Sequence, residues 1–324
     1  MMTVAKVKKS YWEDRIAKET WKTYNSLEEQ TKGLLDLYNK AEKRIKDDLY
    51  AIAEKYIKEN GQIHMDDLKH FGRKSALQTR MKKELQLLGQ QLETMGYDNM
   101  IQGYRAVYEN IQMELNVPDF TIPNKKAIEK VIDHPWHGSN FSKRVWGNTN
   151  LLAESMNKIM VDGIIQGKSI IQMAMELHNK MNKGFNQSIR LVRTETMHVL
   201  NEATLSSYRD SGVKQVEYLA AYDERVCEIC GGLQGKIYPI NKTIHIPVHP
   251  NCRCTWLPVI EDDPEFICPD NMDDFKHTNL GAYINNEFNL LPDGHKKILK
   301  EYVKGLLLMI STILGLIAMS GSYI

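Results

Sequence analysis

Cysteine is scarce in this 324-residue chain and unevenly spread: there are five, and four of them fall between positions 227 and 254. So sparse a set makes a poor disulfide framework, and its clustering fits a reducing compartment with a bound metal better. Net charge is missing too. Lys and Arg number 42 against 41 Asp and Glu, a formal balance of +1, so bulk charge gives no case for a nucleic-acid binder. Residues 1–30 carry the basic run Lys6, Lys8 and Lys9 but no apolar core, and no secretory leader is expected there. Two catalytic zinc signatures are absent. H-E-x-x-H does not occur, and none of the ten histidines is followed two positions later by glutamate, as a deaminase-type site requires. Long apolar runs are lacking until 305–324, twenty residues without a charge. That length reaches the minimum for a membrane span. Its nearly all-apolar part is only the fourteen residues 306–319, which include Ser311 and Thr312, so packing on the protein body or a partner is preferred to membrane contact.

What is present centres on the cysteines. Cys227 and Cys230 have the C-x-x-C spacing that lets two thiolates face one ion across a tight turn. After the 18 residues 231–248 come His249, Cys252 and Cys254, three candidates for the remaining two places of a tetrahedral site. Cys252 and Cys254 are two apart, so an extended backbone turns both to one face. A structural zinc is the expected cofactor, held by three cysteines with His249 or by all four cysteines. The alternatives are a disulfide pair or buried reduced thiols packed as small hydrophobes. Cys268 lies outside the cluster in an acidic segment.

Apolar residues recur at spacings of three and four along most of the chain. The pattern predicts helices over 10–58 (Leu34, Tyr38, Ala41, Ile45, Leu49, Ile52, Tyr56), 75–95 up to Gly96, and 99–115, with Asn60-Gly61 as a stop for the first. Pro118 and Pro123 mark a linker before a short helix at 125–132. His134-Pro135-Trp136-His137-Gly138 reads as a loop around a packed tryptophan. Further helices are predicted at 144–165, at 170–181 with Ser169 as N-cap and Lys183-Gly184 as closure, and at 186–210 with Gly212 as its stop. Alternation then predicts short strands at 213–222, 236–238 and 243–248. The expected fold is mainly α, helical through its N-terminal and central regions, with a small Cys/His-stapled, β-containing C-terminal lobe: α+β overall. The expected divisions are a helical region 1–116, a linker 117–135, a domain 136–260, an acidic linker and polar helix 261–304, and the apolar tail 305–324.

Several pieces of the sequence resemble one family. They are Trp136-x-Gly138, Phe141-Ser142 with Arg144-x-Trp146, Arg193-Thr194-Glu195, Asp223-Glu224-Arg225-Val226-Cys227-x-x-Cys230 and His249-Pro250-x-Cys252-Arg253-Cys254. Together, over about 130–258, they are similar to phage minor head proteins, also called head-morphogenesis or Mu F-like proteins. The resemblance implies a virion component present at few copies, placed at the capsid interior or portal vertex and in host cytoplasm during assembly. Its implied partners are the portal protein and other capsid or scaffold proteins, and the resemblance allows a contact with packaged phage DNA. It implies no enzymatic activity and carries over no catalytic residue. Asp223, Arg225, Arg193 and Glu195 carry over as structural motif residues, the last two near the start of a helix as salt-bridge or capping partners. Some members carry ADP-ribosyltransferase domains after this region. The sixty-odd residues past 262 are too few for that fold and lack a Glu-x-Glu site.

Two other function classes compete with this reading. A metal-dependent nuclease could use His245, His249 and Asn251, but it needs a helix with another ligand soon afterwards, where Cys252-Arg253-Cys254 and Pro258 stand instead. A zinc-ribbon nucleic-acid binder could use Lys214, Arg225, Lys236, Lys242 and Arg253, but Asp223, Glu224 and Glu228 offset them and interleaved aromatics are sparse.

Overall fold

A computed structural model describes residues 12–56, 73–221 and 226–260. The Asn60-Gly61 stop, Asp223, Arg225, Cys268 and the tail 305–324 lie outside the described residues, as do the side chains of Ile52 and Tyr56. A π-helical turn, Glu13–Ala17, leads into α1 (Lys18–Gln30), and α2 (Gly33–Tyr56) follows. Next come α3 (Arg73–Glu114), α4 (Lys125–Asp133), α5 (Phe141–Ile165) and α6 (Ile170–Asp210). Then β1 (Gln215–Leu219), α7 (Glu228–Leu233), β2 (Ile237–Pro239) and β3 (Thr255–Val259) complete the described chain. The expected mainly α, α+β class is borne out. No helix among the described residues is long and apolar enough to cross a membrane.

Helices α3 and α6, 42 and 41 residues long, pack together and organise the rest. Each carries a stripe that feeds two cores in turn. Leu77, Met81, Leu85 and Leu88 of α3 pack with Leu49 of α2, Met160 of α5 and Met173 of α6. Further along, Leu92, Tyr104 and Ile111 of α3 join Leu200 and Tyr208 of α6, Ile16, Val216 and Trp256. The second core also contains Cys230, Cys252 and Cys254, so the cysteines are built into the helical body.

Several helix limits differ from those read off the sequence. The 10–58 helix is interrupted at Thr31 and Lys32, where the Thr31 hydroxyl donates to the Glu28 carbonyl at 2.6 Å ahead of Gly33. Gly96 does not end a helix, and α3 runs straight through it. A Cβ there would meet the Phe141 ring at 2.2 Å, so the glycine makes room for a fully buried aromatic. Burying that ring contributes about 2–3 kcal/mol, more than the roughly 1 kcal/mol a helical glycine costs. Lys183-Gly184 likewise lies inside α6, with Gly184 packed against Leu152 and Tyr38. Helix α5 starts three residues before 144, capped by the Asn140 side chain accepting from Lys143 N. The Ser169 N-cap and the Gly212 stop, at φ +77°, are present as read, and Gln172 completes a capping box with Ser169.

Gly96→Ala is therefore expected to destabilise the chain by about 1–3 kcal/mol, the usual cost of overfilling a packed site. A urea midpoint measures it. A midpoint that rises, as for an exposed helical glycine, would contradict this packing.

The sheet has strand order β2-β1-β3 and is antiparallel throughout. Val216 faces Tyr238 on one side and Pro258 on the other. Strands β1 and β2 match two of the predicted segments. The 243–248 segment is not a strand: it is irregular, with a cis Ile246-Pro247 bond. The third strand follows the last cysteine instead. Pro258 argues against a strand interior, but β3 is a sheet edge, where a missing N–H is tolerated.

Candidate metal centre

The cluster is assembled from one short helix and one long loop. Cys227 caps α7, its Sγ accepting from Cys230 N at 3.4 Å, which brings Cys230 into the first turn beside it. The returning loop turns at Asn251, at φ 60°, and Cys252 N donates to the His249 carbonyl at 3.2 Å. Cys254 leads directly into β3. The sulfur of Cys230 lies 3.8 Å from that of Cys252 and 3.2 Å from His249 Nε2. The ligand atoms of Cys227, Cys230 and His249 lie within 4.8 Å of one another, and so do those of Cys230, Cys252 and Cys254. Cys230 is common to both groups, and the cluster could hold a metal ion. None of the four cysteines is in a disulfide.

His249 presents the nitrogen a metal needs. Its Nδ1 donates to the Pro250 carbonyl at 2.9 Å, and Nε2 is left facing Cys230. Burial alone would lower its pKa, but the Pro250 carbonyl and the charges of Cys252 and Cys227 outweigh it and raise it. The thiols are driven apart. Cys252 is lowered, first by the hydrogen bond from Cys254 and then by backbone N–H groups and His249, against the cost of burial. Cys254 is raised by donating that bond and by burial. Burial also raises Cys230, while the backbone N–H of Cys230 lowers Cys227. A thiolate held among buried, competing thiols is relieved when a cation takes their charge.

The loop is held to the helical body by side chains that no motif marks. Thr194, Asn201 and Tyr208 are spaced by seven on α6, two turns each, so they share one helix face. Thr194 Oγ1 accepts from Asn251 N at 3.1 Å, Asn201 Nδ2 donates to the Cys254 carbonyl at 3.1 Å, and Tyr208 OH donates to the Trp256 carbonyl at 3.0 Å. From α1, Trp21 Nε1 donates to the Arg253 carbonyl at 2.8 Å. Tyr218 OH, from β1, donates to Cys230 Sγ at 3.5 Å. A period of seven with polar residues inside an apolar stripe was the available sequence signal.

Arg193 and Glu195 fall in the middle of α6 and not near a helix start. Arg193 pairs with Glu28 of α1. Glu195, 2% exposed, accepts from Trp136 Nε1 at 2.9 Å and pairs with Arg144, whose guanidinium lies 4.8 Å from the Trp136 ring centroid. Burial pushes the Glu195 carboxyl above its ordinary value despite both donors. Trp136 is packed, as expected, and stacks on His198 at 4.1 Å. The histidines invoked for a nuclease are divided. His249 joins the cysteines, while the ring of His245 lies 5.8 Å from that of His137.

His198 makes this region sensitive to acid. Burial, aided by His245, Arg144 and His137, lowers it from 6.5 to about 4 against its contact with the Ile246 carbonyl. A histidine lowered on folding contributes stability that is complete above its unfolded pKa and is lost as pH falls toward the folded value. Between pH 6.5 and 4 the loss is about 3 kcal/mol. Urea midpoints at pH 7 and pH 4.5 should differ more for the wild type than for His198→Gln. Equal pH dependence in both would contradict the assignment.

The family model described as Phage Mu protein F like protein matches residues 154–257, so the resemblance read from the sequence is borne out there. The chain is 24% identical over 247 residues to Minor head protein GP7 of Bacillus phage SPP1, a match covering 68% of this chain and 79% of that protein. It is 23% identical over 198 residues to the NAD(+)–arginine ADP-ribosyltransferase EFV of Enterococcus faecalis (strain ATCC 700802 / V583). That match covers 54% of this chain but spans only 41% of the transferase. No solved structure matches.

Proposed function

We propose that this chain, whose residues 154–257 form a Phage Mu protein F-like region, is a phage minor head protein that acts in head morphogenesis. The observation that carries this is the likeness to the SPP1 minor head protein, which extends over 68% of this chain and 79% of that one. The chain joins the head at the portal, beside other capsid or scaffold proteins, during procapsid assembly in host cytoplasm, and it stays in the virion, where it can contact packaged DNA. Its role is structural and not enzymatic. The likeness to the transferase supports no activity, because two fifths of that protein is spanned. Incubation with NAD and an arginine-rich acceptor should therefore transfer no ADP-ribose, and labelled acceptor would contradict a purely structural role.

The metal of the cluster is zinc, bound for structure. Tetrahedral zinc–sulfur bonds of about 2.3 Å put sulfurs about 3.8 Å apart, the separation of Cys230 and Cys252. A disulfide would need about 2.05 Å. The ligands come from Cys227, Cys230, His249, Cys252 and Cys254. Serine variants at Cys227 and Cys254 identify the fourth, because a variant that keeps stoichiometric zinc has lost a bystander. Against a metal-dependent nuclease stands the pairing of His249 with Cys230, which commits one of the two histidines that reading needs to a thiol.

Co-expression with the portal protein encoded beside it tests the reading. A complex that survives size exclusion, with about one zinc per chain, is expected. Absence of a complex together with divalent-ion-dependent nicking of DNA would overturn it in favour of the nuclease.

A further inference from the structure

Tyr218 lies in β1, the central strand of the sheet, and the backbone ties it to both halves of the cysteine cluster. On one side it pairs with Trp256 of β3, just beyond Cys254. On the other, its N–H donates to the Lys236 carbonyl at 2.8 Å, and its carbonyl accepts from Gly235 N at 2.9 Å. Those two residues close the turn that follows α7, the helix that carries Cys230. The side chain is fully buried, and its ring stands edge-on to the Trp256 indole with centroids 5.6 Å apart. This frame aims the phenol at the cluster, where Tyr218 OH donates to Cys230 Sγ at 3.5 Å.

The choice of acceptor is informative. Burying a hydroxyl costs free energy that a phenylalanine in the same space would not, unless a good acceptor meets it. The sulfur of a neutral thiol is a weak acceptor and offsets little of that cost. A thiolate is a strong one, because hydrogen bonds to ionised groups are about twice as strong as neutral ones. Cys230 is also the position common to both ligand groups, with Cys252 Sγ at 3.8 Å and His249 Nε2 at 3.2 Å. With four cysteines and one histidine on offer, at least three of four ligands are thiolates. A divalent ion therefore leaves this site with surplus negative charge. Cys227 shares its part with the backbone N–H of Cys230 at 3.4 Å. At Cys230 the phenol takes that role.

We propose that Tyr218 is a positioning residue of the metal centre, its hydroxyl holding the Cys230 thiolate toward the ion and drawing off part of its charge. The inference rests on the metal reading of the cluster and adds to it a residue outside the ligand set. Donors to metal ligands are commonly worth about 10–100-fold in metal affinity.

Tyr218→Phe in the full chain tests this, with Tyr238→Phe as its control. Tyr238 also stands edge-on to Trp256, centroids 5.5 Å apart, but from β2. Zinc is quantified in each protein as purified, and its affinity is measured by competition with a chromophoric chelator. Tyr218→Phe should still bind about one zinc per chain, but at least about tenfold more weakly than the wild type. In the cobalt-loaded chain its sulfur-to-metal charge-transfer bands should shift, because the electron density on Cys230 has changed. Iodoacetamide should alkylate Cys230 of the zinc-loaded variant several-fold faster, read by peptide mass spectrometry. Tyr238→Phe should match the wild type in all three.

Stoichiometric zinc in the wild type, with affinity, bands and alkylation unchanged in Tyr218→Phe, overturns this inference alone. A wild type that binds no zinc overturns the metal reading and this inference with it. A Tyr218→Phe chain that fails to fold, or melts lower by the same amount with and without metal, also overturns it, since the hydroxyl then serves the fold and not the ion. Equal effects in Tyr238→Phe do the same.

Discussion

With the cluster holding zinc as proposed, stripping that metal is expected to lower the melting temperature by at least about 10 °C, given roughly 2–4 °C per kcal/mol for a body of this size. Structural zinc contributes folding free energy outright, because the site exists only in the folded state. Here the effect spreads beyond the loop. Cys230, Cys252 and Cys254 pack in one core with Trp256 and Tyr218 of the sheet and with Leu200, Tyr208 and Tyr104 of the long helices. Without an ion, buried thiols with opposed charge preferences remain at the centre of that core. Chelation, or Cys230→Ser at the position common to both ligand groups, should therefore expose the cysteine loop to protease first and then loosen α6. Readded zinc should restore the chelated wild type but not the variant. Unchanged melting after chelation, with no zinc found in the untreated protein, would refute the staple.

The next largest effect is expected at Glu195. Truncation to alanine removes the acceptor for Trp136 Nε1 and the counter-charge of Arg144 at once. Removing one partner of a buried ion pair costs about 3–5 kcal/mol, because it strands the other. Arg144 is 22% exposed at its side chain and also donates to the Trp136 carbonyl, so part of the loss is recovered through solvent. Glu195→Gln keeps an acceptor and should cost clearly less than Glu195→Ala. Replacing Glu195 and Arg144 together by apolar residues should cost less than the sum of the two single changes, the sign that they are coupled. The stacking of Trp136 on His198 gives the readout, since loosening the pair alters the near-ultraviolet signal of that indole. A loss below about 1 kcal/mol for Glu195→Ala would mean the pair behaves as a surface contact.

The helices and the Cys/His cluster were legible in the sequence for different reasons. The helices announce themselves because Leu77, Met81, Leu85 and Leu88 all face one core, and that geometry imposes a period. The cluster is legible because four thiols within 28 residues have few other uses. What failed were the glycines. Gly96 and Gly184 look like stops by composition, and only the neighbouring Phe141 and Leu152 show that they are spaces. Strand β3 was hidden by Pro258, whose tolerance depends on an edge position that no local pattern reveals. The partners of Glu195 were equally hidden, because Trp136 and Arg144 lie 59 and 51 positions away along the chain.

The measurement that bears most directly on the central claim is the protein content of purified particles from the phage or prophage proposed to encode this chain. Quantitative mass spectrometry of mature heads and of procapsids should find the chain in both, at a few copies for each set of portal subunits, and an in-frame deletion should yield defective heads. Particles that lack the chain, and that assemble and package normally without it, would contradict its assignment to the phage head.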